Sequence, residues 1–172
     1  IPPPDLISLA GTWKAALTAP LPAAGEKDPR HKDPGISERA RALLAKDADE
    51  AGLQDVPASK DWETYGGAWS NADGEAVFRR AIDIPATWAG KDLTLSLGSI
   101  DDFDATFFDG QPVGATDIKV PNFWSVPRLY VVPGKLVTAG RHVIAVRVFD
   151  HFGGGGMAGN TEQLTLAPKE LL

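Results

Sequence analysis

Residues Gly98 to Gly114 read Gly-Ser-Ile-Asp-Asp-Phe-Asp-Ala-Thr-Phe-Phe-Asp-Gly-Gln-Pro-Val-Gly, and this run constrains the fold more than any other. Side chains of an extended chain alternate between two faces, so Phe103, Ala105 and Phe107 fall on one side and Asp104 and Thr106 on the other. Asp109-Gly110 then marks a tight hairpin, because both central residues of such a turn need positive φ. Asp101, Asp102 and Asp104 crowd the start of the strand, which is unusual for a half-buried strand. The crowding predicts a structured loop at the end of a sheet, and the run as a whole predicts a β-sandwich.

The same alternation recurs along the chain. Leu93, Leu95 and Leu97 share a face, as do Ile144, Val146 and Val148 within 142–149. Ala76, Phe78, Ile82 and Ile84 do the same within 76–84, interrupted by Arg80. Residues 6–18 read as a first strand with Trp13 turned inward, Leu129–Val132 as an apolar strand, and Leu164 and Leu166 as part of the last. Fourteen prolines and 18 glycines punctuate these segments, as many turns require. Residues 19–35 and 53–75 read as loops, with turns at Gly66-Gly67 and Asp73-Gly74. Between them, 36–51 is rich in Ala, Leu and straight charged side chains, which favour helix. Ser37 is its expected cap, Gly52 its stop, and Ile36, Ala40, Leu43 and Leu44 its apolar stripe. The expectation is an all-β antiparallel jelly-roll sandwich over 1–172, one domain, with a loop-and-helix insertion at 19–60.

Composition excludes several functions. Seventeen Lys and Arg stand against 23 Asp and Glu, a net charge of −6, and the basic residues are scattered. That argues against nucleic acid as a partner, since phosphate contacts need clustered positive charge. There is no cysteine, so disulfides, thiolate metal sites and cysteine nucleophiles are excluded. No apolar run is long enough to form a membrane-spanning helix, and no cofactor motif is present. The start at Ile1-Pro2-Pro3-Pro4 reads as a mature terminus or the edge of a fragment.

Candidate site residues fall into four groups. Asp101, Asp102 and Asp104 are carboxylates suited to a hard cation such as Ca²⁺; alternatively they cap turns and pair with Arg128 or Arg147. Trp62, Tyr65, Trp69, Phe123 and Trp124 offer aromatic faces for sugar stacking, with Asn122 and Arg128 as polar contacts; alternatively the rings cover the sandwich or meet a partner domain. Arg79, Arg80 and Arg128 are suited to gripping an acidic sugar or to satisfying a carboxylate, Asp102 or Asp104. Asp150-His151 pairs a carboxylate with a base, but a partner nucleophile such as Ser125 lacks any elbow or oxyanion motif, so no catalytic residue is assigned. Gly153, Gly154, Gly155 and Gly156 lack the Lys and Ser/Thr of a phosphate loop. With Asp150 and His151 they are read as a domain contact that exploits tight backbone packing.

Several segments also carry a family resemblance in order. They are Gly74–Ile84, Pro85–Lys91, Leu97–Phe103, Asp109-Gly110 with Val113-Gly114, Trp124–Pro133, Gly140–Val148 and Asp150–Gly156. The chain resembles the galactose-binding-like jelly-roll domain that accompanies SGNH-type carbohydrate esterases of the sialate O-acetylesterase kind. It is more loosely similar to the sugar-binding domain of family 2 glycoside hydrolases. The resemblance covers residues 74–160, with Arg128-Leu129-Tyr130 and Asp150–Gly156 pointing to the esterase-associated form. Asp109 stands where the family usually has Asn, which keeps the turn chemistry. The resemblance implies a non-catalytic module that positions a glycan or acetylated oligosaccharide beside an SGNH catalytic domain, outside the cytoplasm. A purely structural domain docked on that partner is the first alternative, and a self-standing esterase using Asp150, His151 and a serine such as Ser125 is the second. The Gly-Asp-Ser, Gly-Gln-Ser-Asn and Asp-x-x-His hydrolase blocks are absent, so no esterase residue carries over.

Overall fold

Apolar alternation resolves into two antiparallel sheets packed face to face. The computed structural model of the chain describes residues 5–22 and 31–171. Its strands are β1 (Ile7–Ser8), β2 (Thr12–Pro22), β3 (Gln54–Pro57), β4 (Ala72–Ile84), β5 (Leu93–Asp101), β6 (Phe103–Phe108), β7 (Gln111–Thr116), β8 (Pro127–Val132), β9 (Gly140–Asp150), β10 (Gly156–Met157) and β11 (Leu164–Pro168). The larger sheet runs β3-β2-β4-β9-β6-β7. In the smaller, β5 lies between β11 and β8, β1 extends β11, and β10 pairs with the end of β5 at Ile100 and Asp101.

The core lies between the sheets. Leu93, Leu95 and Leu97 of β5 form one buried cluster with Trp13 of β2, Phe78 of β4 and Ile144, Val146 and Val148 of β9. Burying each such side chain stabilises the fold by about 1.5–3 kcal/mol. Trp13 is inward as its strand predicted, and its indole N–H donates to the Leu9 carbonyl at 2.7 Å. In β6 the side that turns to the core is Asp104, Thr106 and Phe108, opposite Val148, Val146 and Ile144. Phe107 packs instead on the outer face, against the helix. Both sides of this strand are therefore occupied.

The helix, α1, spans Glu38–Leu44, shorter than the expected 36–51. Ser37 caps it, its Oγ accepting from the Ala40 N–H at 3.1 Å. It stops well before Gly52 because Arg79, reaching out from β4, takes the carbonyls of its last turn. The guanidinium donates to Leu43 O (2.5 Å), Ala45 O (2.6 Å) and Lys46 O (2.9 Å), and to Glu50 (2.8 Å). Helix-terminal carbonyls lack internal partners and favour a cation. Ala40 and Leu44 then seat α1 on Val77 and Ala145, on the outer face of the larger sheet.

Other expectations shift. The segment 19–35 is not all loop: β2 continues to Pro22, while residues 23–30 lie outside the described residues. Residues 53–75 contain β3 and two 3₁₀ turns, Trp62–Tyr65 and Gly67–Trp69. Asp73-Gly74 is not a turn but part of β4. It pairs with Leu21 and Pro20, just past a register shift in β2 between Leu17 and Ala19. Gly74 has φ +96°, and a Cβ there would stand 2.3 Å from the Ala19 carbonyl, so only glycine fits. No helix is long and apolar enough to cross a membrane among the described residues.

Candidate functional site

One end of the sandwich gathers three loops: the β5–β6 corner with Asp101 and Asp102, the loop before β8 with Asn122 to Val126, and the loop after β9 from His151 to Gly155. They enclose a cavity of about 340 Å³ lined by Asp101, Asp102, Phe123, Trp124, His151 and Phe152, with Gly153 at its edge. Trp124 is 49% exposed and Phe152 40%. Trp13, Trp62, Trp69 and Trp88 are all buried, so Trp124 is the one exposed indole of the five. His151 divides this cavity from a second one of about 460 Å³, lined also by His31, Lys32, Asp33, Phe103 and Ile118. Its ring lies 5.1 Å from Phe103 and 5.7 Å from Phe123, and its backbone N–H donates to Asp102 Oδ2 at 3.0 Å.

Arg128 shapes the pocket rather than contacting a ligand. It is 1% exposed, and its Nε donates to Asp104 at 2.7 Å. Its other nitrogens donate to the carbonyls of Phe123, Val126 (2.8 Å) and Asp102 (2.9 Å). One buried cation thus ties the Trp124 loop to the Asp101-Asp102 corner. Asp104 also accepts from Thr106 (2.8 Å) and Tyr130 (2.9 Å), which fills its lone pairs. Of the two pairings expected for these aspartates, Arg128 takes Asp104. Arg147 instead holds Glu75 (2.7 Å) and, through two nitrogens, Asp33 (2.6 and 2.8 Å). Arg80 donates to the carbonyls of Ala10 (2.9 Å) and Thr12 (3.0 Å).

Two aromatic candidates are corrected. Trp62 is 0% and Trp69 3% exposed, so neither ring offers a face to sugar. Trp62 Nε1 donates to Ala72 O at 2.9 Å and Trp69 Nε1 to Gln54 Oε1 at 3.1 Å, with the rings 5.7 Å apart in the core. Asn122 is exposed at φ +56°, and its carbonyl accepts from Ser125 N (2.9 Å) and Val126 N (3.0 Å), so its backbone forms the turn that presents Trp124. The domain-contact set is corrected in part. Asp150, His151, Gly155 and Gly156 are buried within this chain, leaving Gly153 exposed and Gly154 half-buried. Gly155 packs internally: a Cβ there would stand 2.6 Å from Asp150 Oδ2 and 2.7 Å from the Trp62 ring. Ser125 Oγ donates to Asn122 O at 3.3 Å, and no hydrogen bond joins it to His151 among the described residues.

The carboxylates of the corner are perturbed. Burial, then the hydrogen bond and charge of Asp102, push Asp101 up to about 9. Burial, then the adjoining Asp102 carboxyl, push Asp150 up to about 11. A buried carboxyl beside like charges resists ionising. Asp150 belongs to this group through the fold alone, since β9 delivers it beside Asp101 and Asp102 from far along the chain.

No protein-family model matches the chain, and no curated protein matches it. Solved structures do. The beta-glucuronidase of Ruminococcus gnavus matches with a TM-score of 0.60 at 14% identity, over 84% of this chain and 21% of that one. A GH2 beta-galacturonidase from Eisenbergiella tayi, bound to glycerol, matches with a TM-score of 0.59 at 15% identity, over 95% of this chain and 24% of that one. The chain thus spans between a fifth and a quarter of these enzymes. At such identity the likeness establishes the β-sandwich fold shared with a portion of them.

Proposed function

We propose that the chain is a non-catalytic, carbohydrate-contacting module of a larger carbohydrate-active enzyme. A sugar ring stacks on Trp124 and Phe152 while the carboxyl groups of Asp101 and Asp102 receive its hydroxyls. The observation that carries this reading is the exposed Trp124 indole beside two carboxyls in a cavity of about 340 Å³. An aromatic wall with a few convergent polar groups suits a sugar. The parent enzyme we infer is an SGNH-type carbohydrate acetylesterase working outside the cytoplasm. Support comes from the ordered segments Arg128-Leu129-Tyr130 and Asp150–Gly156.

A tryptophan-fluorescence titration with acetylated and unacetylated plant and host glycans tests it. A saturable change that disappears in Trp124→Ala is expected, because the other four indoles are buried. A flat response from folded protein across the panel overturns it. A second reading, a domain that only docks, has its own observation: Leu129 and Val131 of β8 are 64% and 40% exposed on one face of an edge strand.

A further inference from the structure

Where β5 turns into β6 and β9 ends, Asp101, Asp102 and Asp150 each place an oxygen within 4.8 Å of the others. Among the described residues, the one basic side chain within ion-pair distance of the three is His151, with Nδ1 3.6 Å from Asp102 Oδ2. Asp150 is 0% exposed. Its Oδ1 accepts from the Phe152 N–H at 3.1 Å, while its Oδ2 is buried with no hydrogen-bond partner. A buried carboxylate oxygen without a partner is costly, and two further carboxyls beside it raise the cost. Asp61 and Glu63 add to the negative field at Asp101, and Glu63 Oε1 is a second buried oxygen without a partner. Asp104 shows that the chain supplies an arginine where it needs one, at 2.7 Å.

We propose that Asp101, Asp102 and Asp150 bind one divalent cation, Ca²⁺ fitting best. Donors that are all oxygen select hard cations. Oxygens that all lie within 4.8 Å of one another are close enough to share one calcium at about 2.4 Å, an ion that tolerates irregular ligation, whereas magnesium at about 2.1 Å demands near-ideal octahedral geometry. The cation gives the orphaned Asp150 oxygen a partner. It also fastens the β5–β6 corner to the loop after β9, beneath the aromatic cavity. This assignment stands whether or not the cavity takes sugar.

The test uses the full chain after chelator treatment, with metal ions alone as probes. Terbium is expected to luminesce on excitation of tryptophan, because Trp62 and Asp150 flank the same position at Gly155. Calcium should displace terbium at one ion per chain, bind with measurable heat and raise the melting temperature; magnesium at equal concentration should not. Asp150→Asn should weaken calcium at least tenfold. Asp101→Asn, at a partly exposed position, provides the same readout if the first variant fails to fold. Absence of both heat and luminescence in the unmodified chain overturns the proposal, as does calcium affinity unchanged in the folded variants. Equal displacement by magnesium overturns the assignment to calcium.

Discussion

Two carboxylate groups flank the end of β9 and are built in opposite ways. Glu75 sits opposite Phe149 and Asp150 opposite Gly74, one step apart in the β4–β9 register, so the pleat sends them to opposite faces. On the outer face, Arg147 lies between Glu75 and Asp33. Burial pushes both carboxyls up, but hydrogen bonds override it: from Arg147 and the Gly35 N–H at Asp33, and chiefly from Ser37, Thr18 and Arg147 at Glu75. Both end below the usual carboxylate range. At the sandwich end, Asp101, Asp102 and Asp150 meet without such a cation, and two of them are pushed far up. The difference teaches that acidic residues alone do not define a site; the presence or absence of a bridging arginine does.

Removing that arginine should have the largest effect. Arg147→Met leaves Glu75 buried without its countercharge, held only by Ser37 and Thr18, and urea denaturation should show a loss of about 3 kcal/mol. Next comes the pH dependence, opposite in sign for the two groups. Asp101 and Asp150 hold protons more tightly folded than unfolded. Their contribution is full below the unfolded value of 3.8 and declines as pH rises toward about 9 and about 11. Asp33 and Glu75 contribute above their unfolded values of 3.8 and 4.5, and that contribution is lost as pH falls below them. Stability measured from pH 4 to 9 in chelator should therefore decline toward alkaline pH, and Asp150→Asn should flatten that slope, gaining on the order of 1 kcal/mol at its alkaline end. An unchanged slope would erase the contrast. Asp33→Asn, at a partly exposed position, should cost about 1 kcal/mol by thermal melting. Trp124→Ala should change stability by less than about 0.5 kcal/mol, because its indole is half exposed.

The strands were legible because burial on one face writes a period of two into the sequence. Leu93, Leu95, Leu97, Ile144, Val146 and Val148 all point where their spacing predicts. The helix was legible in place and cap but not in length, since the feature that ends it is Arg79 on a distant strand. Trp62 and Trp69 were misread because a Gly-rich stretch with few apolar neighbours looks like loop, yet its 3₁₀ turns fold under the sandwich. Asp101 and Asp102 were singled out from their crowding. Asp104, grouped with them by proximity in sequence, belongs to Arg128, and Asp150 takes its place through strand pairing that no local pattern encodes.

The Asp109-Gly110 turn has a consequence for the order of assembly. With φ of 49° and 80°, it joins β6 to β7 directly, whereas β4 and β9 pair across a long stretch of intervening chain. Closing long loops is entropically costly before any contact rewards it, so non-local sheets form slowly. The β6–β7 hairpin can form first, and Asp109 already carries the attachment point for β9, accepting from the Val143 N–H at 2.8 Å and bonding to His142. The turn is thus a template on which the central strand is laid down, and a fault in it would delay folding of the whole larger sheet.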